Sequence, residues 1–160
     1  VREVKPSKEL ATLYYNQLMD VFALQNKKPF YGKDRVDILF NVFENSNYIY
    51  CLESYRINDN KVLGTAISFG YNNNCVTWGS ASSTEGKASN MNHVLRWKTI
   101  EHWKNQGCIK YDFGGYAEYK LDFKPDIVFV PRIYESVIPF LHFAKIVAKK
   151  AVAIIRNHKK

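Results

Sequence analysis

The sequence predicts an α/β fold of the α+β kind, a mixed and mostly antiparallel sheet flanked by helices. Three observations carry this. Apolar residues recur at helical spacing near the amino end, three β-type runs follow with Asn-rich turns between them, and a capped helix then leads to a further strand.

Ser7 can cap a first helix to about Gln25, with Leu10, Leu13, Tyr14, Leu18, Val21 and Leu24 at three- and four-residue steps. Pro29 to Lys33 breaks it, and Asp34 caps a second helix with Val36, Leu39, Phe40 and Phe43 on one stripe. The period then changes to two. Tyr48 to Ile57, Val62 to Tyr71 and Cys75 to Ala81, joined by Asn58-Asp59-Asn60-Lys61 and Asn72-Asn73-Asn74, read as an antiparallel meander. A polar loop, Ser82 to Ser89, leads to Asn90 as cap of a helix that stops at Gly107. Cys108 to Phe113 reads as a buried strand, 116–124 as irregular, Ile127 to Tyr134 as strand-like, and Ser136 to Asn157 as a last helix.

Length fits one domain, and 46% hydrophobic with 15% aromatic residues excludes a disordered chain. Net charge +8 favours an anionic partner. Cys51, Cys75 and Cys108 form no CxxC pair and read as reduced, buried thiols of a cytoplasmic protein. Four scattered histidines lack metal-ligand spacing, so no metal is expected. Lys145, Lys149 and Lys150 interrupt the most apolar stretch, which makes it too charged to span a bilayer. The start at Val1 reads as an excised piece of a longer protein.

The strand, polar loop, helix and strand from Cys75 to Phe113 can place an anion at a helix amino terminus, with Gly86 and Lys87 in the loop. An ordinary capped surface loop is the competing reading. Val94, Trp97, Ile100 and Trp103 recur every three residues and, with Met91 and Leu95, leave more apolar circumference than one buried face needs, so Trp97 or Trp103 is expected to be exposed or covered by another domain. On the last helix His142, Lys145, Lys149 and Arg156 form a basic stripe that could meet RNA or an acidic membrane surface, or be a solvated face.

Val62-Leu63-Gly64-Thr65-Ala66, Thr77-Trp78-Gly79-Ser80-Ala81-Ser82, the helix from Asn90 with Leu95-Arg96-Trp97, Tyr111-Asp112-Phe113-Gly114-Gly115 and Phe123-Lys124 together resemble the carboxy-terminal GNAT domain of FemAB-like N-acyltransferases. The resemblance implies a GNAT-type sheet, usually the second of two such domains, and transfer of an acyl group to an amine on an amino sugar or cell-envelope precursor; the expected location is cytoplasmic, with the inner face of the membrane as the alternative. The donor would be acyl-CoA, with aminoacyl-tRNA the alternative; a scaffold half-domain is the non-catalytic alternative. A preceding GNAT-like domain or a second copy of the chain would be a partner. Ser83, Gly86, Lys87, Ala88 and Asn90 would hold the cofactor, although Ser83 stands where CoA-binding members carry Gln or Arg. Asp112 is the candidate base, against a turn-capping role, and Tyr116, with Tyr119 beside it, the candidate proton donor. Trp78, Lys124 and Arg132 are the candidate substrate-binding residues.

Overall fold

The computed structural model describes residues 1–131 together with Phe143 and Val147. Two compact units divide the chain, Val1–Asp122 and Phe123–Lys160. The first holds a five-stranded sheet in the order β1-β2-β3-β4-β5. Its strands are β1 (Arg2–Val4), β2 (Ile49–Tyr55), β3 (Val62–Tyr71), β4 (Asn74–Ser82) and β5 (Lys110–Asp112), antiparallel throughout except for the parallel pair β4–β5. Helices α1 (Lys8–Ala23), α2 (Lys33–Phe43), the short α3 (Thr84–Ala88) and α4 (Met91–Asn105) flank it. The expected mixed, mostly antiparallel sheet is therefore the one that forms.

Local chemistry explains most boundaries. The Ser7 hydroxyl accepts the Leu10 N–H and starts α1. Asn72 and Asn73 both adopt left-handed backbone, with φ of 49° and 62°, which is the geometry of a two-residue hairpin turn between Tyr71 and Asn74. Gly107, at φ 86°, closes α4: its N–H bonds the Lys104 carbonyl and the Cys108 N–H bonds the Trp103 carbonyl.

Several expectations need correction. Asp34 lies inside α2, whose cap is Gly32, and its charge meets the helix dipole in the first turn. The loop 82–89 contains the helical turn α3, because the Ser83 hydroxyl accepts the Gly86 N–H. Asn90 makes no side-chain cap; at φ 53° it is the left-handed joint between α3 and α4. The strand expected over 108–113 shrinks to three residues and is not buried, since it is the sheet's edge. Arg2–Val4 pairs with β2, a strand that composition did not suggest.

In the second unit, residues 127–131 form no strand, and Phe129 is 92% exposed. An apolar run becomes a strand only where another edge takes up its hydrogen bonds, and no ladder includes these residues. The last helix lies outside the described residues except at Phe143 and Val147, which are helical and exposed.

The sheet separates two cores. On one face Leu10, Ala11, Tyr14 and Leu18 of α1 and Val36 and Phe40 of α2 bury Ile49, Cys51, Ile67 and Ala81. On the other, Leu95 of α4 meets Leu52 and Ala66. Trp103 is 3% exposed, and its Nε1 donates to the Ser68 hydroxyl at 2.8 Å; Trp97, at 60%, is the tryptophan left outside. Burial pushes the Cys51 thiol up to about 12 and, with Cys108 beside it, the Cys75 thiol likewise, so neither is a nucleophile near neutral pH.

Trp103 fits only because residue 70 is glycine: a Cβ there would stand 2.2 Å from the indole. Gly70→Ala should therefore destabilise the protein by about 1–3 kcal/mol in chemical denaturation. Gly115→Ala, where a Cβ would have nothing within 4 Å, is the matched control and should stay near wild type. Equal midpoints for the two variants would refute the packing argument.

Candidate functional site

Strands β4 and β5 pair only through Asn74–Lys110, Cys75–Tyr111 and Val76–Asp112. From Thr77 to Ser82 the edge of β4 on that side has no strand beside it among the described residues, so the two strands bound a wedge lined partly by main-chain polar groups. A bulge shapes its wall. Ile67 faces Gly79 and Ser68 faces Thr77, which leaves Trp78 as an extra residue of β4. Side-chain alternation consequently shifts: Thr77 and Ser80 both look toward α4, while Trp78 packs against Tyr14 and Tyr31 on the α1 side, with ring centroids 5.8 and 5.2 Å away. Gly79 is required there, because a Cβ would meet the Tyr14 hydroxyl at 2.1 Å.

Arg96 of α4 occupies the wedge. It is 5% exposed, its Nη1 donates to the Thr77 hydroxyl and its Nη2 to the Tyr119 hydroxyl, both at 3.3 Å, and its guanidinium lies over the Phe113 and Tyr119 rings. Thr77 also bonds the Tyr111 hydroxyl at 2.7 Å. Burial pushes the Tyr111 phenol up, and its bond to Thr77 and the Arg96 charge oppose that rise. Thr77, Ser80, Asn92, Arg96, Thr99 and Tyr111 line a cavity of about 10 Å³, close to the space of one water.

Beyond β5 the chain is tied to itself. The Asp112 carboxylate accepts the Gly114 N–H at 2.6 Å, the turn-capping geometry, and is exposed to solvent. Lys120, in a 3-10 segment over Glu118–Phe123, donates to the carbonyls of Phe113 and Gly115. Burial, and then the nearby Arg96 charge, pull its ammonium pKa down. Tyr116 is 72% exposed on the intervening loop.

The proposed cofactor residues sit together on the α3 turn. Ser83 is internally satisfied: its hydroxyl donates to the Leu63 carbonyl and accepts from Gly86. Gly86 is fixed by packing, since a Cβ would lie 2.2 Å from that same carbonyl oxygen. Glu85, on the same turn, bridges Arg56 and Lys61. Lys87, Ala88 and Asn90 are exposed. Lys124 is exposed in the second unit at φ 49°, and Arg132 lies outside the described residues. Among the described residues no group of three or more His, Cys, Asp or Glu is placed to hold a metal ion, and no helix is long and apolar enough to cross a membrane.

Sequence reasoning missed Arg96, Thr77 and Tyr111 as site residues. Asn92, Arg96, Thr99 and Trp103 follow one another at four, three and four residues, one stripe of α4, and that mostly polar stripe is the one the helix turns toward the sheet. The exposed stripe carries Val94 and Trp97.

No curated protein sequence matches the chain. Similar solved structures include an aminoglycoside acetyltransferase from an uncultured soil metagenomic sample in complex with sisomicin, 16% identical over 86% of this chain and 96% of that one, TM-score 0.57. A glucosamine-6-phosphate N-acetyltransferase from Arabidopsis thaliana is 9% identical over 84% and 98%, TM-score 0.57. A GNAT family acetyltransferase from Staphylococcus aureus is 10% identical over 85% and 96%, TM-score 0.54. At these identities they establish a shared fold. Residues 13–124, most of the first unit and well over half of the chain, match the family model described as acetyltransferase (GNAT) domain, and the chain belongs to that family.

Proposed function

We propose that the chain is an N-acyltransferase that moves an acyl group from acyl-CoA to an amine on an amino sugar or cell-envelope precursor, in the cytoplasm. The observation that carries this reading is the unpaired β4 edge from Thr77 to Ser82 in a GNAT-family chain. An extended, amide-bearing donor can add to such an edge through main-chain hydrogen bonds, and Lys87 offers an exposed cation for its phosphates. Structural relatives named for acetylating aminoglycosides and glucosamine 6-phosphate support an amine on a sugar as the acceptor.

The donor supplies an activated thioester carbonyl. Main-chain N–H groups at the wedge would stabilise negative charge developing on its oxygen. Asp112, at the end of β5, would take the proton of the attacking ammonium, and Tyr116 would return one to the departing thiolate. Trp78 beside Tyr31 would contact the acceptor. An open groove of about 470 Å³ between Tyr15, Met19, Phe30 and Tyr31 adjoins that aromatic cluster.

The FemAB-type reading, with aminoacyl-tRNA as donor, draws support from Ser83 in place of Gln or Arg. A preceding GNAT-like domain or a second copy would cover Trp97 in either case. Titration with acetyl-CoA separates the donors: saturable heat that weakens with salt, and several-fold weaker binding for Lys87→Glu, is the acyl-CoA outcome. Silence of the wild type favours tRNA or a non-catalytic scaffold.

With an acceptor in hand, Asp112→Asn should lower turnover by about 10²-fold or more while acetyl-CoA binding hardly changes. The Asn amide oxygen can still accept the Gly114 N–H, so the melting temperature should hold; a rate loss that merely tracks a loss of stability would mark Asp112 as structural. Full activity in the variant would remove Asp112 from the chemistry.

A further inference from the structure

A buried guanidinium is costly unless an anion or a full set of acceptors compensates it. Arg96 has neither. Its two side-chain hydrogen bonds run to neutral hydroxyls at 3.3 Å, its Nε has no partner, and no carboxylate forms an ion pair with it among the described residues. Asn92, one turn earlier and on the same cavity, also keeps a buried oxygen without a partner. A second cation makes the imbalance larger: Lys120 approaches the same Tyr119 ring at 5.9 Å, against 5.6 Å for Arg96, and bonds only carbonyls. Of the carboxylates around this loop, Asp112 accepts the Gly114 N–H, Asp122 meets His93 at 3.0 Å, and neither these nor Glu118 forms an ion pair with Arg96. The Asp112 charge reaches Lys120, so the group left without an ion-pair partner in the wedge is the buried guanidinium of Arg96.

We propose that Arg96 is a specificity-determining residue that pairs with an oxyanion, a carboxylate or a phosphate monoester, carried by the acceptor amine. The proposal rests on the acyltransfer reading for the acceptor's role, while the oxyanion site itself does not. A planar guanidinium suits either group through paired N–H donors. Tyr119 and Phe113 cover the guanidinium; the Tyr119 hydroxyl holds Nη2 by one long hydrogen bond and its side chain is partly exposed on a 3-10 turn, so its displacement would admit an anion. An oxyanion there would bring the acceptor's amine toward the strand end that carries Asp112.

The test uses the 160-residue chain with Arg96→Gln and Arg96→Lys. Melting temperatures are measured with sodium phosphate and, separately, sodium acetate, at ionic strength fixed with sodium chloride. Wild type should be stabilised by at least one of the two anions, Arg96→Gln by neither, and Arg96→Lys partially; the anion that works tells phosphate from carboxylate. Transfer from acetyl-CoA is then compared for glucosamine 6-phosphate against glucosamine and for glycine against glycinamide. Wild type should favour the charged member of one pair, and Arg96→Gln should reduce that kcat/KM ratio on the order of 10- to 100-fold. Equal stabilisation of wild type and Arg96→Gln, or an unchanged ratio, overturns the proposal; if Arg96→Gln does not fold, Arg96→Lys decides on the same criteria. Anion stabilisation without transfer to any amine would keep the oxyanion site and remove the acyltransfer reading. Transfer to neutral amines without anion stabilisation would do the reverse.

Discussion

Strand β4 carries one residue more than β3 can match, and the geometry of the site follows from where the surplus is absorbed. The bulge at Trp78 turns two consecutive positions, the Trp78 side chain and the bare Cα of Gly79, toward α1, and so places Thr77 and Ser80, three residues apart, toward α4. Bulges bend and overtwist their strand. Just before this one, pairing with β5 ends at Val76. The consequence is a stretch of β4 whose main chain is held firmly by β3 on one side and open on the other. Rigid backing with an unpaired edge suits a donor that must be held extended and polarised at one carbonyl.

Helix α4 completes the wedge with an inverted polarity. Asn92, Arg96 and Thr99 face the sheet, whereas Val94 and Trp97 face outward. A helix that merely covered a sheet would present the opposite stripe. Leu95 and Trp103 anchor it, the latter through the close approach to Gly70 and the bond to Ser68, and that anchoring carries Arg96 into the interior, where no carboxylate among the described residues pairs with it. The neutral hydroxyls of Thr77 and Tyr119 and the faces of two aromatic rings spread its charge only in part.

Much of this was legible in the sequence. Period-two runs and the paired asparagines at 72 and 73 gave the meander nearly to the residue, and Ser7 and Gly107 marked two helix ends by chemistry that needs no tertiary partner. What failed depended on partners distant in sequence. The length of β5 was set by how far β4 stays alongside it, and the apolar run at 127–130 joins no sheet edge among the described residues. Arg96 was hidden because the regular Val94, Trp97, Ile100 and Trp103 spacing drew attention to the wrong face; the i, i+4, i+7 series of Asn92, Arg96 and Thr99 was the signal that could have exposed it. Ser83 and Gly86 sat where the resemblance placed them, yet their local bonds show that capping and close packing against Leu63 already account for their identities.

The central claim is that the open edge of β4 receives the donor. Amide hydrogen exchange of the 160-residue chain with and without saturating acetyl-CoA addresses it most directly, because the amides of β4 that face the wedge should exchange faster than those bonded to β3. Slowed exchange confined to peptides spanning Thr77 to Ser82 and the adjoining α3 turn is the predicted result. Unchanged exchange there, with protection appearing instead at another surface, would contradict the account.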